Sequence, residues 1–194
     1  MAKVNREEII DAAVRLFNQN GYHATSMQDI ARAVSIKKPS LYHHFESKEA
    51  ILLEVLEESM NHLISEMEAV VASDGNCTTK LCKAIEVHAG TIAASPQRAA
   101  VFLREDRGLG DQYLEVYLAK RDRFEDQVRT IIRQGIAEGT FRETDVTITA
   151  HAIFGMVNWM TRWYRTEGRL SAQEISAMFV DLILKGLLDQ GARS

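Results

Sequence analysis

The 194-residue sequence predicts an all-α protein, a small three-helix head followed by a larger helical body. Three observations carry this. Apolar residues recur at helical spacing along almost the whole chain, and no apolar/polar alternation survives for more than a few residues. Only two prolines and eleven glycines interrupt it, so long helices fit easily. Caplike residues stand just before the apolar stripes, where helices should start.

The first helix should begin after Asn5, with Glu8 three places on as in a capping box. Its stripe is Ile9, Ala12, Ala13, Leu16 and Phe17, and Asn20-Gly21 supplies the stop. A short second helix follows Ser26, with Asp29 at its third position and Ile30, Ala31 and Val34 inward. Pro39 suits the first turn of a third short helix, because an N–H there has no intrahelical partner. Ser47 caps a long fourth helix carrying Ile51, Leu52, Val55, Leu56, Met60, Leu63, Ile64 and Met67. After the loop Ser73-Asp74-Gly75-Asn76, helices are expected over 79–94, 96–104, 111–138, 145–166 and 172–188. Gly139 should end the longest, and Ser171 with Glu174 forms a further capping box. The chain divides on this reading into a three-helix head over 1–48 and a helical body over 49–194.

Composition narrows the function. Hydrophobic residues make up 46% and charged residues 26%, which suits a packed globular chain rather than a disordered one. No apolar run approaches the roughly 18 residues of a membrane span, and the first ten residues lack a signal peptide's apolar core, so a cytoplasmic protein is expected. Cys77 and Cys82 have no partners at zinc-like spacing and read as free thiols, with neither metal nor cofactor expected. Net charge is −4, but residues 1–48 carry seven Lys/Arg against five Asp/Glu, so the head is basic on an acidic body. DNA affinity follows local positive charge, which keeps a nucleic-acid partner open.

A short helix, a tight turn and a second short helix, braced on both sides, let one helix enter a major groove. The candidate reading helix spans Lys38–Phe45. Leu41 and Phe45 should pack inward, leaving Lys37, Ser40 and His43, with Pro39 for apolar contact, toward DNA. Lys38, Tyr42 and His44 crowd the same helix. Lysine, hydroxyl, phenol and imidazole groups suit phosphates or base edges. A solvated polar helix in an ordinary helical protein explains the same pattern.

Residues Gly21-Tyr22-His23-Ala24-Thr25-Ser26-Met27-Gln28-Asp29-Ile30-Ala31, then Ser40-Leu41-Tyr42-His43-His44-Phe45-Glu46-Ser47-Lys48-Glu49, resemble the N-terminal head of the TetR family of regulators. The resemblance covers roughly residues 8–56. It implies an all-helical homodimer on a double-stranded DNA operator, with Thr25, Tyr42 and Lys48 on phosphates and the start of the third helix reading bases; Ser26, at the second helix's start, joins the DNA-binding set. Two departures stand out: Ser35 replaces the usual glycine of the turn, and Lys37 replaces the usual small cap. Base preference therefore does not carry over.

In the body, Ile153 to Tyr164 is apolar nearly all round and should be buried on more than one side. The last helix shows Ile175, Met178, Phe179, Leu182, Ile183 and Leu187, a seam for a partner helix. Monomer core and a four-helix dimer face both account for these. Polar groups among bulky apolar ones make a candidate small-molecule pocket: Asn158 and Arg162 with Phe154, Trp159 and Trp163, joined from 79–138 by His88, Thr91, Phe102, Tyr113 and Tyr117. The phrase from Asn158 to Ser171 resembles TetR relatives that respond to acyl-CoA thioesters, including regulators of fatty-acid and steroid-ring breakdown. Arg98, Arg104, Arg107, Arg121, Arg123, Arg162 and Arg165 are then candidate partners for coenzyme A phosphates.

The function expected is a ligand-responsive repressor released by a small hydrophobic effector, foremost an acyl-CoA. A drug-responsive efflux-type repressor and a helical interaction protein without DNA binding are the alternatives. No phosphate loop, nucleophile elbow or metal-spaced histidine pair points to an enzyme.

Overall fold

The computed structural model describes residues 4–104 and 108–187, and every regular element among them is a helix. These are α1 (Arg6–Asn20), α2 (Met27–Ala33), α3 (Lys38–Tyr42), α4 (Lys48–Ala72), α5 (Cys77–Ala94), α6 (Pro96–Phe102), α7 (Asp111–Ala137), α8 (Val146–Asn158), α9 (Met160–Trp163) and α10 (Ala172–Leu187). The expected capping chemistry is present. The Asn5 and Glu8 side chains reciprocally bond each other's backbone N–H, as do Ser26 with Asp29 and Ser171 with Glu174. The Ser47 hydroxyl accepts from Ala50 N–H at 3.0 Å, opening α4. Gly21 ends α1 at φ +83°, and Gly139 follows α7 at φ +70°, both left-handed conformations that suit glycine.

The chain forms two compact units. One comprises Met1–Met60 with Gln97–Ala119, the other Asn61–Pro96 with Lys120–Ser194. The first therefore takes in more than the three-helix head: the start of α4, all but the first residue of α6 and the start of α7 belong to it.

In that unit, α1 buries Ile9, Ile10, Ala12, Ala13, Val14 and Phe17, and α2 buries Met27, Ile30 and Ala31. α1 packs on α2, and α2 on α3. α3 has only five residues, too few to stand without tertiary support. Leu41 and Phe45, both buried as expected, anchor its far end. Arg6 braces the same corner: its guanidinium lies 4.0 Å from the Phe45 ring centre and bonds the His44 carbonyl and the Glu54 carboxylate.

The turn between α2 and α3 holds Ser35 at φ +57°, the strained position the missing glycine foreshadowed. Ser35 N–H bonds the Arg32 carbonyl and Ile36 N–H the Ala31 carbonyl, so the turn is locked in spite of the strain. A left-handed conformation costs a non-glycine residue about 1–2 kcal/mol, partly offset by glycine's larger unfolded-state entropy. Ser35→Gly is expected to raise stability by about 0.5–1 kcal/mol, read from the denaturant midpoint. An unchanged or lower midpoint would show the turn unstrained.

In the second unit, α5 packs on α10, α8 and α9, and α8 on α10. Its core includes Leu81, Ile85, Ala89, Val128, Ile132, Phe141, Ile153, Val157 and Ile175. The expected single helix over 145–166 ends early. α8 stops at Asn158, Trp159 N–H closes on the Gly155 and Val157 carbonyls, and the short α9 gives way to extended backbone at Tyr164. Ile153, Phe154, Val157 and Met160 are buried, whereas Ile148 and Trp159 are 65% and 63% exposed on the protomer.

Candidate nucleic-acid interface and ligand-binding residues

On the head, Lys37, Lys38, Pro39, Ser40, Tyr42 and His43 are all exposed. Lys37 is the N-cap residue of α3 but makes no side-chain cap bond. Lys38 Nζ lies 5.8 Å from the centre of the Tyr42 ring, which places a cation beside a phenol on one surface. These polar and proline positions, on a helix anchored by Leu41, make a surface that can meet phosphates and base edges together. His44 is half-buried, and its carbonyl is taken by Arg6.

Two residues expected on phosphates make hydrogen bonds within the head. Thr25 is 2% exposed, and its hydroxyl donates to the Gly21 carbonyl at 2.9 Å. Lys48 Nζ donates to the carbonyls of Tyr22 and Thr25, each at 2.6 Å, and sits 4.2 Å from the Tyr22 ring centre. It staples the start of α4 to the turn between α1 and α2. Ser26 is exposed, but its hydroxyl is committed to the capping box, donating to Asp29 Oδ2 at 2.6 Å. That bond and the Ser26 N–H hold the Asp29 carboxyl below its ordinary value. Gln28 and Arg32, absent from the expected set, are exposed on α2. Burial of Met27, Ile30 and Ala31 leaves 28 and 32 outward, a signal readable from helical periodicity.

The expected ligand set divides between the two units. Phe102, Tyr113 and Tyr117 belong to the unit of the head: Phe102 and Tyr117 pack edge-on at 5.8 Å, and the Tyr113 hydroxyl donates to Glu46 at 2.9 Å. In the other unit, His88, Phe154 and Asn158 come together, with Phe124 as an unforeseen fourth member. The His88 ring stands edge-on to Phe124 at 5.2 Å and to Phe154 at 5.9 Å. Burial among these rings pushes the His88 imidazole down to about 4, and the neighbouring Asn158 side chain opposes this only weakly. Asn158 Oδ1 is shielded from solvent yet makes no hydrogen bond of good geometry. Gln127 Oε1 on α7 is buried in the same condition.

Thr91 is half-buried, its hydroxyl turned back to the Val87 carbonyl. Trp159 and Arg162 stand apart from the buried group. Trp159 is exposed, and so is Arg162, whose guanidinium lies 5.9 Å from a Trp159 ring centre, whereas Asn158 is half-buried. Between Asn158 and Arg162, Trp159 keeps helical dihedrals, φ −62° and ψ −19°. Among the candidate phosphate partners, Arg98, Arg121 and Arg123 already meet carboxylates, Arg165 bonds the Tyr164 carbonyl, Arg104 is exposed, and Arg107 lies outside the described residues. No described helix is long and apolar enough to cross a membrane.

A braced pair of short helices with an exposed lysine, serine, tyrosine and histidine surface defines a helix-turn-helix protein. Comparison with known families makes this specific. Residues 9–55 match the model for bacterial regulatory proteins of the tetR family, and residues 74–187 match the tetracyclin repressor-like C-terminal domain. The chain belongs to the TetR family of transcriptional regulators. The HTH-type transcriptional repressor KstR2 of Rhodococcus jostii is 29% identical over 184 residues, 94% of this chain and 90% of that protein. Among solved structures, the TetR family regulator PfmR from Thermus thermophilus superposes with a TM-score of 0.85 at 36% identity, covering 91% of this chain and 97% of that one. AibR, solved in complex with isovaleryl coenzyme A and operator DNA, gives 0.83 at 26% identity over 91% and 96%.

Proposed function

We propose that this protein is a homodimeric repressor that occupies a promoter through its two heads and leaves it when a small hydrophobic effector, an acyl-CoA thioester, binds the body. The observation that carries the DNA-binding half is the uninterrupted exposed surface from Lys37 to Ser40, with Tyr42 and His43, on a helix whose apolar anchors are buried. Effector binding shifts the population toward a conformer whose heads no longer match successive grooves. A tenfold release needs only about 1.4 kcal/mol of differential affinity.

The effector reading rests on the buried group of His88, Phe124, Phe154 and Asn158. It is apolar and aromatic, with a shielded amide oxygen beside the His88 imidazole. Such a mixture suits an acyl chain carrying a polar head. AibR, a structural neighbour, is known with an acyl-CoA bound. One observation favours a second reading, a neutral hydrophobic effector of the drug type. Arg98, Arg121 and Arg123, candidates for coenzyme A phosphates, are already paired with carboxylates. Isothermal titration with acyl-CoAs of graded chain length decides between them. Heat that peaks at one chain length and accompanies DNA release supports the thioester; no heat at any length overturns it.

Dimerisation is read from α8 and α10. Ile148, Ala152, Gly155 and Trp159 fall at four-three-four spacing on one face of α8, all exposed, and Met178 and Leu182 are exposed on α10. Gly155 is telling. A glycine inside a helix costs roughly 0.5–1 kcal/mol against alanine. Among the described residues, nothing beyond its chain neighbours and its own helix backbone lies within 4 Å of where a Cβ would stand, so their packing does not demand a glycine there. A second α8 crossing closely at that point does.

The interface is tested on the duplex that the wild-type protein selects from a random pool. Removing one lysine–phosphate interaction should change the slope of log affinity against log salt by about 0.9, hence by about 2 for a dimer. Lys37→Ala and Lys38→Ala are expected to flatten the slope accordingly. Tyr42→Phe should weaken binding severalfold with the slope unchanged, and His43→Ala should alter which duplex is selected. Equal reductions on all duplexes from all four changes would dissolve this division of roles.

A further inference from the structure

Residues Gln97–Ala119 come from the middle of the chain, yet they belong to the compact unit that holds the head. Arg98, on α6, is their main tie. Its Nη2 bonds Glu7 and also Asp11 at 2.8 Å, both on α1, while Nη1 bonds Glu58 on α4 at 2.6 Å. Next to it, the Gln97 carbonyl accepts from Asn18 Nδ2 at 2.9 Å. Positions 7, 11 and 18 lie on one face of α1, so two consecutive residues of α6 grip α1 over roughly 16 Å of its length.

The electrostatics make this grip unequal to an ordinary surface pair. The Arg98 side chain is 19% exposed, so its three interactions are less screened than those of exposed charges. Three carboxylates converge on one guanidinium. Without the cation, Glu7 and Asp11 would repel Glu58, and α1 would be pushed from α4 at that end. Because α1 packs on α2 and α2 on α3, a tilt of α1 moves the reading helix with it.

We propose that Arg98 is a positioning residue for DNA recognition: through Glu7, Asp11 and Glu58 it fixes α1, and with it α2 and α3, at the angle at which the head fits its groove. The head's orientation is then set by α6 as well as by α4. α6 follows α5 through Ser95 alone, and α5 carries His88, so the covalent chain leads from the buried aromatic group to this clamp in ten residues. The inference rests on the DNA-binding reading and is separable from it by experiment.

Full-length Arg98→Met, Arg98→Lys and Asp11→Asn are titrated with the duplex selected by the wild type and with an unselected duplex of equal length, at a temperature where each is folded by circular dichroism. Arg98→Met is expected to lose at least tenfold in affinity for the selected duplex and less than twofold for the unselected one. Arg98→Lys, which keeps the charge but not the forked geometry, recovers part of the selectivity. A folded Arg98→Met with a selected-to-unselected ratio within twofold of wild type overturns the proposal, whatever its melting temperature, and so does Arg98→Lys no better than Met. If Arg98→Met does not fold, Asp11→Asn decides: a selectivity loss of threefold or more supports the clamp, and an unchanged ratio overturns it. A wild type that selects no duplex overturns this inference together with the DNA-binding reading, whereas failure of the variants alone leaves that reading standing.

Discussion

Leu182→Asp is expected to make the protein monomeric at micromolar concentration and to lower its affinity for the selected duplex by about 10²–10⁴, the gain that linking two binding heads provides. Leu182 is 62% exposed on α10, and nothing in the protomer requires it to be apolar. Each leucine withdrawn from water on pairing contributes about 1.5–3 kcal/mol, twice over in a symmetric interface. A carboxylate there would be buried against its own symmetry mate without a counter-ion, so the substitution removes a gain and adds a charge penalty. In the separated protomer the carboxylate is solvated, and the far-UV circular dichroism should stay unchanged. Analytical ultracentrifugation gives the mass, and the same sample gives the DNA affinity. A dimer that survives the substitution would remove α10 from the interface. Gly155→Ala offers an opposite-signed companion: the helix gains propensity while the pairing loses its close approach.

The head was the most legible part of the chain, because its determinants are local. Asn5 with Glu8, Ser26 with Asp29, Ser47 and Gly21 act within four residues of where they stand, and each marks its helix end as expected. The strain at Ser35 was foreshadowed by the family resemblance, which puts a glycine at that turn, and not by the serine itself. Lys48 was not. Its role depends on carbonyls brought to it from 23 to 26 residues away, and a lysine at a helix start looks the same whether it faces a phosphate or a turn. The Arg98 clamp joins residues 40 to 91 positions apart, beyond any periodicity argument. In the body, hydropathy could not tell an apolar face turned to the core from one turned to a second subunit. Val157 and Trp159 are two residues apart and both apolar, but one is fully buried and the other exposed. The end of the helical stretch at Trp163, rather than at 166, was hidden for a related reason: apolar spacing runs on through Tyr164, where the backbone turns extended.

His88 is expected to make the fold acid-labile well above the range where carboxylates titrate. Its folded value is about 4, depressed first by burial against Phe124 and Phe154, whereas an unfolded histidine titrates near 6.5. Between these values the unfolded chain binds a proton that the native one excludes. Stability therefore falls as pH drops from about 6.5 toward 4, by about 3 kcal/mol in all, and is insensitive to His88 above that window. Asp29, Glu138 and Glu174, whose carboxyls are held below their ordinary values by hydrogen bonds, lose stability at lower pH, but they do so alike in the wild type and a variant. The difference between wild type and His88→Gln isolates the imidazole, since the amide keeps a polar group beside Asn158 without a titrating proton. Urea midpoints measured from pH 7.5 to 4.5 should converge as pH falls, because the wild type loses stability faster. Parallel curves would mean that the imidazole finds a proton-stabilising partner in the native state, and the buried aromatic group would then be wet enough to hold a charge.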